Sequence, residues 1–496
     1  MSIFNINFYK NFKQSFNVSN ADKLKYGEIY TPATLINAIL DLFDPSVFRD
    51  KNKKWLDPGA GQGYFFIYLF KRLDEGLAAF FLTNEERWKH IIENMLYMVE
   101  LKPENVLVLR ATFGEKANII SGNFLLLSDN SFSSSSFPSL ELMDYVVGNP
   151  PYNANGIKKV PTNTKIKKKE EDGQTVWISF IKKSIDMLKA KGQLAMIIPS
   201  IWMKPDKART YHYLTNYKLE KIHCLSNTET NKIFQGQAQT PTCYFLLTKT
   251  EHMGTEHMGT ENMGTENMGI GTEHIGTDNK EITLFDTDKK LYISYLLRDE
   301  QPIPLFGSAI INKLMPFVLK YGCIAVQKTN LPSKKSLFNE EASPLYPYKN
   351  IKTCVLSEGD GLTPKLLYNY SKGAQAFYGV KKLVLAHKMF GFPFLDAEGS
   401  FGISNRDNYV ILSDKNEILL QLKAFLSTKL VLYIYEATRY RMKYLEKYAF
   451  QFLPNISLIP DFPEIINDIS VAAYFGLDAL DIVNINSLHK KTYNSF

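Results

Sequence analysis

The chain is poor in cysteine and tryptophan, with four of each among its 496 residues. No two cysteines form a CxxC pair, which argues against a zinc site or a disulfide framework and favours a reducing compartment. No apolar run reaches 18 residues, and the N-terminus alternates Phe, Asn and Lys instead of forming an apolar leader. The sequence therefore predicts a soluble, intracellular protein with no membrane partner.

The charge balance is only mildly basic. The chain has 58 Lys and Arg against 51 Asp and Glu, a net charge of +7, and 45% hydrophobic residues. These values are typical of a globular protein, and the length is enough for two or three domains. The excess of positive charge is compatible with a polyanionic partner but does not identify one.

One stretch, DYVVGNPPYN at residues 144–153, stands out. Its apolar, β-rich start predicts a buried strand end, and Gly148 then frees the backbone. Each proline disfavours the α conformation of the residue before it, so residues 149–152 form a stiff, extended loop. The prolines offer carbonyl acceptors and no N–H donors. The loop therefore suits a planar ligand that carries an NH₂ group.

Three residues of this loop predict a specific chemistry. The Asn149 side-chain oxygen and the Pro150 carbonyl can each accept one hydrogen of an exocyclic amine, which prepares the nitrogen lone pair for attack on an electrophile. The Tyr152 ring can stack on the base. The alternative is an ordinary proline-stiffened turn at a strand end. The motifs upstream favour the functional interpretation.

Upstream, Thr31 and Pro32 predict the start of an amphipathic helix over residues 33–43. The stretch WLDPGAGQGYF at residues 55–65 predicts a strand, a glycine-rich turn and a helix, which is the first βα turn of a Rossmann-like sheet. Asp57 at the end of that strand disfavours a phosphate and favours a cationic or hydroxyl-bearing ligand.

The next two elements carry residues suited to a nucleoside. Residues 96–100 (LYMVE) predict a second strand that ends in Glu100, a position that often binds ribose hydroxyls, although a solvated strand end is the alternative. Residues 117–124 predict a third strand. At the end of this element, Asn123 and Phe124 sit where they could contact the edge and the face of a base.

Residues 26–250 resemble the γ-class (TaqI-type) adenine-N6 DNA methyltransferases of restriction–modification systems. The resemblance lies in the order of five motifs: the helix that follows Thr31 and Pro32, then DPGAGQGYF, VELKPEN, SGNF and GNPPY. The resemblance implies an α/β, Rossmann-like domain that uses S-adenosyl-L-methionine (SAM) as its cofactor. It also implies duplex DNA as a partner, an extruded adenine as the target, and no metal. A separately encoded restriction endonuclease is a further implied partner.

The resemblance also implies roles for individual residues. Asp57 would face the methionine end of SAM, Glu100 the ribose, and Asn123 with Phe124 the adenine; Asn123 stands where the family commonly has Asp. The implied SAM site comprises Thr31, Asp57, Gly59, Gly61, Glu100, Asn123 and Phe124. The implied catalytic loop comprises Asn149, Pro150, Pro151 and Tyr152.

The rest of the first domain, residues 1–250, predicts a helix over residues 177–188 and strands near residues 192–199, 222–225 and 244–247. In the related family this part of the chain carries an aromatic side chain that packs on the extruded base. Phe234 is the candidate for that role, and a core phenylalanine is the alternative. Lys158, Lys159 and the lysine run at residues 165–169 predict either a solvated loop or a phosphate contact.

A five-residue repeat, TEHMG or TENMG, fills residues 250–276 and predicts a flexible linker over residues 251–280. Metal binding by the repeated histidines is the alternative. Residues 281–496 predict a mixed α+β target recognition domain that reads DNA. Within it, residues 387–392 form a basic, aromatic loop. Basic residues Arg439, Arg441, Lys443 and Lys447 alternate with a predicted helical stripe of Tyr440, Tyr444 and Tyr448.

Other functions remain open from the sequence. An RNA methyltransferase or a protein glutamine methyltransferase could use the same NPPY loop, although the large second domain disfavours the glutamine enzymes. A catalytically inactive DNA-binding subunit is a third alternative, which the intact loop disfavours. The sequence contains no convincing nuclease signature and gives no DNA recognition site.

Overall fold

The computed structural model describes residues 31–127, 142–153, 175–250, 280–328, 337–356, 364–387, 393–441 and 445–488, apart from residues 207, 237, 239, 299, 406 and 407. The chain divides into two compact units. The first comprises Met1–Trp202 with Asp206–Thr283, and the second comprises Met203–Pro205 with Leu284–Phe496. The lysine run, the repeat, most of the 387–392 loop, Lys443 and Tyr444 lie outside the described residues.

The first unit is an α/β structure built on a sheet in the order β3-β2-β1-β4-β5-β7-β6, with β8, which begins in this unit, beside β6. Strands β1 to β5 run parallel, and β7 runs antiparallel to β5 and β6. The Rossmann-like α/β class predicted from the sequence is therefore confirmed. The strands are β1 (Trp55–Asp57), β2 (Leu96–Glu100), β3 (Asn118–Ser121), β4 (Met143–Gly148), β5 (Leu188–Pro199), β6 (Lys218–Leu225), β7 (Thr242–Thr248) and β8 (Lys280–Asp286).

Helices of the first unit connect these strands. They are α1 (Ala33–Leu40), α2 (Tyr64–Gly76), α3 (Asn84–His90), α4 (Pro103–Phe113), α5 (Trp177–Asp186), α6 (Thr210–Thr215) and α7 (Asn227–Ile233). Helix α1 ends three residues before the predicted end, and its apolar face is buried in the core, as its periodicity predicts. Helix α2 begins after Gly63, whose φ of +88° favours glycine; a Cβ there would lie 2.8 Å from side-chain atoms of α4.

Aromatic packing joins the strands that lead to the site. Trp55 of β1 pairs in register with Tyr145 of β4, and their ring centroids are 4.2 Å apart. Phe43 and Phe48 pack on Trp55 at 5.2 and 5.6 Å. Because burial of each such side chain contributes roughly 1.5–3 kcal/mol, this cluster holds β1 and β4 firmly side by side.

The second unit is mixed α and β, as predicted. It contains two four-stranded sheets, in the orders β10-β17-β14-β15 and β11-β13-β12-β16. Its strands are β9 (Leu291–Leu297), β10 (Gln327–Lys328), β11 (Phe338–Asn339), β12 (Tyr348–Leu356), β13 (Pro364–Ser371), β14 (Lys382–Ala386), β15 (Pro393–Asp396), β16 (Gly402–Ile403) and β17 (Asn408–Leu412). Its helices are α8 (Ser308–Tyr321), α9 (Asn416–Leu426), α10 (Lys429–Ala437), α11 (Asp468–Tyr474) and α12 (Ala479–Leu488).

The predicted helical stripe of tyrosines is wrong for its described part. Helix α10 ends at Ala437, and a short 3₁₀ turn follows only at Lys447–Phe452. The Tyr440 hydroxyl donates a hydrogen bond to the Ile303 carbonyl at 2.5 Å, and the Lys204 ammonium lies over the Tyr448 ring. Tertiary contacts thus override the i, i+4 spacing of these residues.

Two of the basic residues next to Tyr440, Arg439 and Arg441, lie beside carboxylates of the same unit. Arg439 pairs with Glu436, and Arg441 lies 3.9 Å from Glu446.

No helix among the described residues has by itself the length and hydrophobicity needed to span a membrane. Helices α9 and α10 reach them only as a pair, which is bent by 67°.

Candidate active site

Four parallel strands bring the predicted site residues to one edge of the sheet. Asp57 ends β1, Glu100 ends β2, Asn123 follows β3 and Asn149 follows β4. In an open α/β sheet, ligands bind beyond the carboxyl ends of the strands, at the point where the strand order reverses. Here the reversal lies between β1 and β4, so this edge of the sheet is the candidate site.

Asp57 is the most deeply buried acid of the site, with 2% of its surface exposed. Its Oδ1 accepts a hydrogen bond from the Gly59 N–H at 3.1 Å, and a Cβ on Gly148 would lie 2.8 Å from the same oxygen. Burial, with a smaller contribution from the Glu100 carboxylate, raises the pKa of Asp57 to about 7. A ligand with a positive charge would offset the cost of ionising this carboxyl.

Glu100 holds the glycine-rich turn in place. Its Oε2 accepts from the Gly61 N–H at 2.7 Å, and its Oε1 accepts from the Lys102 N–H at 2.8 Å. These two backbone hydrogen bonds anchor the carboxylate beside the glycine-rich turn. The sequence predicted Glu100 as a ligand-binding residue, and its contact with Gly61 was missed because the two residues are 39 positions apart.

Gly59 faces an apolar surface that the sequence did not predict. A Cβ at Gly59 would lie 3.8 Å from Pro151 Cδ and 3.9 Å from Cε1 of Phe180. Phe180 lies on α5, the first described helix after the NPPY loop. The only signal for it in the sequence is an aromatic residue on the buried face of that helix.

Phe124 belongs to the same apolar surface. It is 1% exposed, and its ring centroid lies 5.4 Å from that of Phe180. The Lys183 ammonium is 5.3 Å from the Phe124 ring centroid. Asn123 caps the short 3₁₀ turn at Phe124–Leu126, because its Oδ1 accepts from the Leu125 N–H at 3.0 Å. Its predicted contact with the adenine of SAM stays a prediction.

Asn149 presents one end of its amide to the protein. Its Nδ2 donates to the Thr31 hydroxyl oxygen at 3.1 Å. Its Oδ1 is buried, and among the described residues this oxygen has no hydrogen-bond partner. A buried acceptor without a partner costs roughly 1–3 kcal/mol, which is often tolerated where a ligand supplies the donor. The oxygen that the sequence predicted as an amine acceptor is therefore the one without a partner.

The remaining loop residues are held by the sheet and by the chain that follows. Pro150 is buried, and the Tyr152 hydroxyl donates to the Ile197 carbonyl of β5 at 3.4 Å. The Tyr152 carbonyl accepts from the Val176 N–H at 3.1 Å. Burial raises the pKa of Tyr152 far above its usual range, so the phenol stays neutral.

Phe234 lies apart from this loop in the apolar core. It is 2% exposed, caps the end of α7, and belongs to the cluster that contains Leu225 and Tyr244. This environment matches the core alternative. Contact with an extruded base stays a prediction.

Within the part of the chain that the structure describes, no three His, Cys, Asp or Glu side chains are grouped to hold a metal.

Together, the fold and the site define a Rossmann-like protein with acidic and aromatic side chains at the carboxyl edge of its sheet, beside an amide–proline loop. Residues 67–234 match the model of the Eco57I restriction-modification methylase family. This segment contains Glu100, Asn123 and the NPPY loop and omits Asp57 and Thr31. The resemblance to restriction–modification adenine methylases predicted from the motifs is thereby confirmed.

Individual relatives agree with the family model. An uncharacterised adenine-specific methylase of Mycoplasma pneumoniae is 34% identical over 94 residues, which cover 18% of this chain and 22% of that protein. The type II methyltransferase M.BstVI of Geobacillus stearothermophilus is 25% identical over 247 residues, covering 45% of this chain and 42% of that protein. The chain thus covers less than half the length of either relative.

Among solved structures, a putative class I SAM-dependent methyltransferase of Listeria monocytogenes is 17% identical, and the match covers 49% of this chain and 65% of that one. Its TM-score is 0.32. A similarity of this size adds nothing to the sheet topology described above.

Proposed function

We propose that the protein is a site-specific DNA methyltransferase that transfers a methyl group from SAM to N6 of an adenine in duplex DNA. The single observation that carries the proposal is the buried Asn149 Oδ1, which has no hydrogen-bond partner among the described residues. A ligand with an N–H group would supply the donor that this oxygen lacks. The two prolines of the same loop offer carbonyl acceptors and no N–H donors.

SAM fits the chemistry of the residues at this edge of the sheet. Asp57 suits the cationic end of the cofactor, and a carboxylate at the end of the second strand, here Glu100, suits ribose hydroxyls. Phe124 and Phe180 supply an aromatic surface for a base. Gly59 has no side chain beside Pro151 and Phe180, so a ligand can approach the backbone there closely. When bound, SAM supplies an electrophilic methyl group.

Residues of the NPPY loop prepare the adenine nitrogen. Asn149 Oδ1 and the Pro150 carbonyl accept the two N6 hydrogens, which directs the nitrogen lone pair away from the ring and toward the methyl group. The proton that N6 then loses leaves through these acceptors to solvent. Positioning and fixed acceptors supply the acceleration, and no covalent bond to the protein forms.

An adenine stacked in duplex DNA cannot reach this loop, so the base must leave the helix. Extrusion costs a few kcal/mol of pairing and stacking. Stacking of the base on the Tyr152 ring offsets about 1–3 kcal/mol of that cost.

In this proposal, residues 281–496 recognise the target sequence, and a separately encoded endonuclease is the cognate partner. Relatives named as an adenine-specific methylase and a type II methyltransferase support this substrate class.

The test is methylation-sensitive sequencing of DNA from cells that express the protein, with Asn149→Ala as the matched control. We expect N6-methyladenine at one recurring sequence with the wild type and its loss with the variant. Transfer to RNA or to a protein glutamine in a parallel assay, with unmodified DNA, would favour the alternative enzymes. Unmodified products throughout would favour an inactive subunit.

A further inference from the structure

Thr31 contacts the proposed catalytic amide directly, although it precedes Asn149 by 118 residues. The resemblance of the sequence places Thr31 in the SAM site. In the structure, its hydroxyl oxygen lies 3.1 Å from Asn149 Nδ2, and the residue is 6% exposed. The hydroxyl is therefore a buried partner of the amide that the proposed reaction uses.

A side-chain amide can present either of its two ends to a ligand. Rotation by 180° exchanges the acceptor Oδ1 for the donor Nδ2. An amide in the reversed orientation would present its NH₂ group to the NH₂ group of adenine, and two donors that face each other repel. In the structure Nδ2 donates to the Thr31 hydroxyl, and the buried Oδ1 has no partner among the described residues, so Thr31 anchors the amide in the orientation that the proposed reaction uses.

The position of this hydroxyl is fixed by the packing of α1. Pro32 follows Thr31 with φ −64° and ψ 150°, and its carbonyl accepts the first hydrogen bonds of the helix. Leu35, Ile36 and Ile39 then bury the helix in the same apolar core as β5. The buried apolar face of α1 is a rigid support, so the Thr31 oxygen holds a defined place beside the loop.

We infer that Thr31 is a positioning residue that orients the Asn149 amide for adenine. This inference rests on the proposed function and deepens it. It predicts that Thr31 acts on the rate of transfer through Asn149, whereas a SAM ligand would act on cofactor affinity.

The experiment compares Thr31→Val, which keeps the shape and removes the hydroxyl, with Thr31→Ser, which keeps the hydroxyl. Full-length protein is assayed on duplex DNA in single turnovers at saturating SAM, and SAM affinity is measured by calorimetry. We expect Thr31→Val to slow transfer by about 10- to 100-fold, the scale of a misplaced reacting group. SAM affinity should stay within about twofold, and Thr31→Ser should restore most of the rate.

A double-mutant cycle gives the sharper readout. In the Asn149→Ala background there is no amide to orient, so adding Thr31→Val should change the residual rate less than about twofold. Thermal unfolding of each variant checks that the fold persists, and Thr31→Ser serves as the reference if Thr31→Val unfolds early.

Three results would overturn the inference. One is a wild-type rate for Thr31→Val; another is a full additive loss in the Asn149→Ala background. The third is a large loss of SAM affinity with an unchanged saturating rate, which would make Thr31 a cofactor ligand. If the wild-type protein itself leaves DNA adenine unmodified, the proposed function fails first, and the inference falls with it.

Discussion

The ionisation of Asp57 links the candidate cofactor site to pH. Burial raises the pKa of this carboxyl from 3.8 to about 7, so the ligand-free protein holds it neutral below that value. A cationic ligand prefers the ionised form. SAM affinity should therefore be full above pH 7 and weaken as pH falls through 7, by up to about tenfold per pH unit.

Calorimetry between pH 5.5 and 8.5 measures this effect. Asp57→Asn is the matched control, because it keeps the shape of the side chain and removes its titration. We expect weaker binding with a flat pH profile in that variant. A flat profile in the wild type would mean that Asp57 does not meet the charged part of the ligand.

The Tyr152 side chain separates stacking from hydrogen bonding. Its hydroxyl donates to Ile197 at 3.4 Å, a long bond, whereas its ring is the surface proposed to stack on the base. Tyr152→Phe should retain methylation within about tenfold, since the ring remains. Tyr152→Ala loses stacking of about 1–3 kcal/mol and should slow transfer by roughly 10- to 100-fold.

Single-turnover rates on duplex DNA and on DNA with a mismatch at the target check this prediction. A mismatch lowers the cost of extrusion and should partly rescue Tyr152→Ala. Equal losses in the Phe and Ala variants would instead assign the effect to the hydroxyl.

At the scale of elements, the junction of β1 and β4 depends on a glycine. A Cβ at Gly148 would lie 2.8 Å from Asp57 Oδ1, closer than real Cβ atoms come. Gly148→Ala must push the carboxylate or the strand end aside. We expect a loss of about 1–3 kcal/mol in stability and a weakened SAM site.

Gly122→Ala is the matched control for this change, because its Cβ would meet Leu127 at an ordinary 3.7 Å. Denaturant unfolding and SAM calorimetry on both variants test the prediction. A Gly148→Ala protein with wild-type stability and affinity would show that the junction adapts freely.

Elements with a strong local pattern were predictable from the sequence. Strand β2 spans Leu96–Glu100, the predicted range, and α5 begins at the predicted Trp177, because apolar periodicity and turn residues bound them. The order of motifs likewise placed Asp57, Glu100 and Asn149 at successive strand ends.

Contacts between distant elements were not predictable from one sequence. The approach of Phe180 to Gly59 depends on how α5 packs, and the Thr31–Asn149 hydrogen bond depends on α1. The spacing of Tyr440 and Tyr448 predicted a helix, but the contacts of both residues with other segments stabilise a different backbone. Local spacing carries no information on such tertiary energies.

At the scale of the whole molecule, the proposed separation of chemistry and recognition can be compared with the division of the chain into two units. Every predicted site residue described above belongs to the first unit, which ends at Thr283. Reading a DNA sequence requires contacts to base edges, each worth about 1–3 kcal/mol of discrimination. The large second unit, with its two four-stranded sheets, is the part of the chain proposed to supply them.

A chain shortened to residues 1–286 tests this division, because it keeps β8 beside β6 and removes most of the second unit. We expect SAM affinity within about twofold of the full chain, since the proposed ligands all remain. Methylation at the recognition sequence should fall by at least about 100-fold, the cost of losing two or more base contacts. DNA affinity compared at matched salt separates this loss from a general loss of charge attraction. Retained SAM binding shows that the shortened chain is folded; site-specific methylation at the full rate would place recognition in the first unit instead.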